Sequence, residues 1–236
     1  MNTQPELLSP RLTRKFMEHL KNRARTTLGM GRNASPGAAR LERMLNEALD
    51  TVAREVRPKV MYRMLPVRSL TGTSIRTDAG VVRSAKLARL AQRCRGDVSV
   101  VFVIATLGEV FEDLYRRETS LSGQFIIDAV GSECAELVTD RWNNKWNSLM
   151  KLRGHECSLR FSPGYCDWKL EGQAVIFRTL DADAIGVTLT KDYLMIPAKS
   201  ISAIALAAKK VPAAAPCAFC RSRSCPWRRM EFTTVP

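Results

Sequence analysis

Residues 98–105 read VSVVFVIA, an almost unbroken apolar run set off by Gly96 and Asp97 before it and by Thr106, Leu107 and Gly108 after it. Eight residues are too few to cross a membrane, and the run is rich in β-branched side chains with no helical period. A segment of this kind is a strand buried on both faces, because alternation disappears when neither face meets water. The strand is expected to lie centrally in a sheet.

The flanking sequence reads mostly as helices. Residues 10–28 carry Leu12, Phe16, Met17 and Leu20 at helical spacing, and GMGRNASPGA then ends the pattern with Gly and Pro. From Ala38, Leu41, Met44, Leu45, Ala48, Leu49 and Val52 recur at three and four until Pro58 stops the run. Residues 60–67, VMYRMLPV, suit a strand that Pro66 places at an edge or ends. A short strand or two then leads to a helix capped by Ser84, with Leu87, Leu90 and Ala91 facing inward. A helix from Glu109 to about Arg117 follows the central run; its first amides suit an anion, but they are also simply how a strand joins a helix. A long helix spans about 124–149, with Ile126, Ile127, Val130, Cys134, Leu137, Val138 and Trp142 on the buried stripe and Glu133 and Glu136 at its margin. The last third turns around RFSPGYCDW, forms a short helix within 170–180, and continues as strands in IGVTLT and YLMIPAKSISAIALAA.

Composition narrows the function classes. A chain of 236 residues, 45% hydrophobic and 25% charged, can bury one sizeable core. No run approaches the roughly 18 apolar residues of a membrane span, and MNTQPELLSPRLTRK lacks a signal-peptide core, so the expected address is the cytoplasm and no membrane is involved. The net charge of +14 attracts polyanions, acidic protein faces or phosphate-bearing ligands. Aromatic residues are only 7% and do not interleave with the basic ones, which makes nucleic acid the runner-up partner. Cys94 and Cys134 fall among apolar helix positions and read as core thiols, Trp142 and Trp146 as a core stripe, and His19 as surface or packing.

The residues best equipped to hold a ligand are Arg160, Phe161, Ser162, Pro163, Gly164 and Tyr165. A guanidinium fork precedes a turn whose glycine admits close backbone approach and whose tyrosine offers a flat face with a hydroxyl. That equipment suits an amino-acid carboxylate joined to a nucleoside. A second block follows at Gly186, Leu189, Thr190, Met195, Pro197, Ser200 and Ser202. Together the two ordered blocks, with RxxxGY met at Arg160, Gly164 and Tyr165, resemble the activation domain of cobalamin-dependent methionine synthase, and especially its stand-alone corrinoid-reactivation relatives. The resemblance runs back through residues 105–142 and, more faintly, through the N-terminal helices.

What the resemblance implies is an α+β fold, a curved antiparallel β-sheet with flanking helices, divided as an N-terminal helix and linker at 1–37, an S-adenosylmethionine-binding domain at 38–208 and a basic Cys-rich tail at 209–236. Arg160 would hold the methionine carboxylate, Gly164 would give a backbone contact, Tyr165 a wall or hydroxyl contact, and Glu136 would face the ammonium. Such a chain supports reductive methylation of cob(II)alamin on a partner, a corrinoid protein or cobalamin-dependent methyltransferase, with the electron from a flavodoxin-like or ferredoxin-like donor. It is a methyltransferase component whose activity belongs to the assembled complex, and the cobalamin is the partner's. The basic surface would dock the acidic carrier and the corrinoid-bearing partner.

The tail departs from the large enzyme's domain. Cys217, Cys220 and Cys225 give CxxCxxxxC flanked by arginines, three thiols that can hold a zinc ion or an iron–sulfur cluster, with Cys157, Cys166 or His155 as a fourth ligand if the tail folds back; the bland alternative is a reduced tail. Two other readings of the whole chain stand beside the leading one: a basic nucleic-acid-binding protein with a C-terminal metal knuckle, and a non-catalytic corrinoid-protein adaptor.

Overall fold

The computed structural model describes residues 4–30 and 36–212. The apolar run forms the middle strand of five. In chain order the elements are β1 (Glu6–Leu8), α1 (Arg14–Thr27), α2 (Pro36–Glu55), β2 (Lys59–Pro66), β3 (Ser69–Leu70), β4 (Ser74–Thr77), β5 (Gly80–Arg83), α3 (Ala85–Arg93), β6 (Ser99–Thr106), α4 (Val110–Arg117) and α5 (Leu121–Leu152). There follow β7 (Glu156–Cys157), a 3-10 turn (Leu170–Gly172), α6 (Gln173–Thr179), a second 3-10 turn (Ala182–Ile185), β8 (Thr188–Leu189), β9 (Met195–Ile196) and β10 (Ser200–Ala208). The main sheet is open and antiparallel, ordered β1-β2-β6-β10-β7.

The three inner strands of this sheet, β2, β6 and β10, divide their side chains between two cores. Val101, Val103 and Ala105 of β6, with Val60, Tyr62 and Met64 of β2 and Ala203, Ala205 and Ala207 of β10, pack with residues of α1, α2 and α5. Val100, Phe102 and Ile104, with Met61, Leu65, Ile204 and Leu206, pack with residues of α3, α6 and the three-stranded β3-β4-β5 sheet. From Val100 to Thr106 every residue of β6 is buried, as the unbroken apolar run demands. The α+β class and the antiparallel sheet expected of the chain are what the structure has.

Local chemistry sets the helix ends. Thr13 accepts the Phe16 amide, Ser84 that of Leu87 and Ser120 that of Gly123, so three helices begin on hydroxyl caps. Ser84 is the cap expected from the sequence, whereas α1 starts at Arg14 rather than near Pro10 because Thr13 supplies its cap. Phe16, Leu20 and Ala24 of α1 enter the same core as α2 and α5. Lys21 Nζ also reaches Asn46 Oδ1 at 2.8 Å and Glu42 Oε1 at 2.9 Å on α2.

Of the two outcomes expected at Pro66 the structure has the second: Pro66 ends β2, and β1 pairs only with Val60 to Tyr62. The stretch expected as one strand through 193–208 is broken at Pro197, which has no amide to give a ladder; Met195–Ile196 pairs with Thr188–Leu189, and β10 starts afresh at Ser200. Among the described residues no helix is long and apolar enough to cross a membrane.

Candidate functional site

The site begins where the chain leaves the edge of the sheet. After β7, the Ser158 amide donates to Leu206 O at 2.8 Å, and Phe161 and Ile204 exchange both backbone hydrogen bonds at 2.7 and 2.8 Å. Arg160 and Phe161 therefore alternate across the edge. Phe161 enters the core under α3 and α6, while Arg160 turns to α5. The chain then folds back on itself: the Gly164 amide donates to Trp168 O at 2.8 Å, and the Trp168 amide to Tyr165 O at 3.1 Å. Gly164 takes φ +89°, a conformation that L side chains rarely adopt, so its place in the motif has a backbone cause. Trp168 anchors the turn at 3% exposure, its indole lying where a Cβ on Gly172 would stand 2.1 Å from Nε1. Asp167 ties the turn to α3, accepting from Ser84 Oγ at 2.7 Å and from the Lys86 amide at 3.1 Å. Tyr165 is 66% exposed.

The Arg160 side chain is only 11% exposed. Its Nη2 donates to Glu136 Oε2 at 2.5 Å and to Asp140 Oδ1 at 2.7 Å. The structure thus brings together Arg160 and Glu136, which the sequence reading paired through one ligand. It also adds residues that reading did not assign. Arg23 on α1 donates from Nε to Glu133 Oε2 at 2.6 Å and from Nη1 to Asp140 Oδ2 at 2.9 Å. Thr27 Oγ1 donates to Glu133 Oε1 at 2.7 Å, which explains how Glu133, expected at the stripe's margin, is buried. Burial opposes the charge on Arg23, but the hydrogen bonds to Asp140 and Glu133 outweigh it and raise its pKa. A legible signal existed: Glu133, Glu136 and Asp140 stand at i, i+3 and i+7, one face of a helix that is otherwise apolar there.

The second block meets the first on β10. Ser202 lies two residues from Ile204, the partner of Phe161, and its hydroxyl donates to Gln173 Oε1 at 3.1 Å. Gln173 Nε2 donates in turn to Tyr193 O at 2.9 Å, fixing the β8–β9 hairpin, while Ser200 Oγ and Thr106 Oγ1 are 2.8 Å apart. Gly186 ends its 3-10 turn at φ +77°. On β10 the backbone groups of Ile204 and Leu206 point away from β6, and strand alternation turns those of Ser200 and Ser202 the same way. Among the described residues no strand pairs with that outer edge at Ser200 or Ser202. Lys199, just before it, reaches Asp128 Oδ1 at 2.6 Å and Ser132 Oγ at 2.9 Å, its stem lying against Gly131.

Arg160 and Tyr165 stand on opposite sides of the sheet edge: one against α5, the other beside Ser84 and Lys86 at the start of α3. A cavity of about 450 Å³ adjoins the Tyr165 side, lined by Arg76, Arg83, Ser84 and Asp167 among others. Cys217, Cys220 and Cys225 lie outside the described residues. Among those described, no group of three His, Cys, Asp or Glu is placed to hold a metal ion. Burial pushes the Cys157 thiol up to about 11, while Cys166 is exposed.

Residues 135–213 match the family model described as vitamin B12 dependent methionine synthase, activation domain. That stretch holds Glu136, Arg160, Gly164, Tyr165 and the whole second block; it stops short of Cys217. Among solved structures, the crystal structure of the MetH reactivation domain bound to AdoHcy superimposes with a TM-score of 0.62 at 15% identity, over 90% of this chain and 81% of that one. Comparison with curated proteins gives no match. In sequence over residues 135–213, and in fold over nine-tenths of its length, the chain is similar to the activation domain of vitamin B12-dependent methionine synthase.

Proposed function

We propose that this chain binds S-adenosylmethionine along the outer edge of β10 and supports reductive methylation of cob(II)alamin held by a partner, a corrinoid protein or a cobalamin-dependent methyltransferase. The observation that carries the proposal is the Arg160–Glu136 pair, 2.5 Å apart, beside an RxxxGY turn inside the stretch that matches the activation-domain family. A guanidinium next to a carboxylate complements an amino-acid head group, whose carboxylate and ammonium carry the opposite charges in the same adjacency. Arg160 has five N–H donors, and its contacts with Glu136 and Asp140 use Nη2 alone, so donors remain on Nη1 and Nε.

The rest of the ligand has a path. Gly164 presents backbone without a side chain, and Tyr165 an exposed ring. Because Arg160 and Tyr165 flank the edge, a molecule touching both runs along it, past the outward backbone groups of Ser200 and Ser202. The similar solved structure is a reactivation domain bound to AdoHcy, the product of methyl donation by S-adenosylmethionine. When bound, the sulfonium supplies an activated methyl group for cobalt reduced by one electron. The chain's own part is to orient and to balance charge: none of Arg160, Gly164 and Tyr165 has to gain or lose a proton. The net charge of +14 suits docking of an acidic flavodoxin-like or ferredoxin-like electron donor.

The test is spectroscopic. A cobalamin-dependent methionine synthase fragment lacking its own activation domain is held as cob(II)alamin with S-adenosylmethionine and a low-potential reductant, and methylcobalamin formation is followed. Addition of this chain accelerates it, and Arg160→Ala removes most of the acceleration. A rate equal to the chain-free control refutes the proposal.

A further inference from the structure

We infer that Arg23 on α1 is a positioning residue for the same site, setting the orientation and charge of Arg160 through Asp140; this rests on the S-adenosylmethionine reading above. Asp140 is a bridge between two guanidinium groups, Oδ2 accepting from Arg23 at 2.9 Å and Oδ1 from Arg160 at 2.7 Å. Arg23 is in turn fixed from behind by Glu133, whose side chain is 9% exposed and whose second oxygen is taken by Thr27. The order of contacts is Thr27, Glu133, Arg23, Asp140, Arg160, Glu136, a continuous chain from the N-terminal helix to the candidate ligand contact. Arg23 lies far outside residues 135–213, so the family match does not reach it.

The charge arrangement gives the chain a task. Three carboxylates, Glu133, Glu136 and Asp140, surround two guanidinium groups, Arg23 and Arg160. With Arg23 present, Asp140 shares its negative charge with that guanidinium as well as with Arg160. Without it, more of the Asp140 charge falls on Arg160, and a ligand carboxylate then meets stronger competition for that guanidinium. The loss of Arg23 also lets Asp140 leave the rotamer that aims Oδ1 at Arg160. Both effects weaken binding of an amino-acid carboxylate at Arg160 without Arg23 touching it.

Calorimetry with S-adenosylhomocysteine tests this as a thermodynamic cycle. Arg23→Gln alone strands the buried Glu133 carboxylate, so the informative variant is Arg23→Gln with Glu133→Gln, a neutral pair of similar shape that keeps hydrogen-bonding groups. The dissociation constant is expected to rise about tenfold, less than the loss of a direct charge-assisted contact because Arg23 acts through Asp140. Glu133→Gln alone leaves it within about twofold, and Arg23→Lys retains part of the affinity, keeping the charge but not the two-pronged fork. In an Asp140→Asn background the Arg23→Gln and Glu133→Gln pair adds less than about twofold, since the route through Asp140 is already cut. Unchanged affinity in the double variant, or a full tenfold loss persisting in the Asp140→Asn background, overturns the inference. Absence of binding by the unmodified chain overturns the functional reading itself, and the inference with it.

Discussion

Leu20 is a sensitive probe of whether α1 belongs to the cooperative unit. It is fully buried within the core shared by α2, α5 and the main sheet, and the polar contacts of Lys21 and Arg23 follow directly after it in sequence. Leu20→Ala removes three carbons at a site walled by α2, α5 and the sheet, which leaves little room for collapse. The transfer and cavity costs together come to about 3 kcal/mol. For a chain of this size that corresponds to a fall in Tm of roughly 9 °C. Urea titrations of both forms, read by far-UV circular dichroism and by tryptophan fluorescence, measure it. Trp142 and Trp146, two of the four tryptophans, stack with centroids 6.2 Å apart beside Tyr62, so part of the fluorescence follows the contact between α5 and the sheet. The two signals should move together to lower urea, because losing α1 uncovers the same core. A loss below about 1 kcal/mol, or a shift in one signal only, would show that α1 folds as an appendage and refute the reasoning.

Two further outcomes follow from the same geometry. Gly164→Ala forces a side chain into φ +89°, where a Cβ meets only Leu170 at 3.5 Å, so the cost is backbone strain of about 1–2 kcal/mol; S-adenosylhomocysteine affinity should fall by more than that stability loss alone accounts for, and unchanged affinity in calorimetry removes Gly164 from the site. Burial pushes Cys94 and Cys157 up to about 11 and Cys134 to about 12, so at pH 8 about one in a thousand or fewer of these thiols is ionised; mass mapping after brief iodoacetamide treatment should find exposed Cys166 modified before all three. The sign follows from linkage: these raised values stabilise the fold below the ordinary thiol range, and that contribution is lost as pH climbs towards 11 and beyond.

How much was legible differed by scale. The central strand could be read because a run apolar at consecutive positions has no other comfortable place in a chain this polar, and Ser84 could be read as a cap because a hydroxyl precedes an apolar period. β1 and β7 could not, being three and two residues long and defined by their partners rather than by their own pattern. At the site, Arg160, Gly164 and Tyr165 stood out through their order in a motif, and Gly164 has the positive φ that explains its place. Arg23 stayed hidden among many basic residues because its importance comes from contacts 110 and 117 positions away, which no local period encodes.

The account depends most on Arg160 meeting the methyl donor. Calorimetric titration of the full chain with S-adenosylmethionine, repeated on Arg160→Ala, addresses that directly. Because Arg160 leaves Glu136 and Asp140 partly solvated, and Asp140 keeps its contact with Arg23, the variant should remain folded. The account predicts saturable one-to-one binding by the unmodified chain and a loss of at least about thirtyfold in the variant, the worth of a charge-assisted contact to a carboxylate. Heat of dilution alone from the unmodified chain, or equal affinity in both proteins, would contradict it.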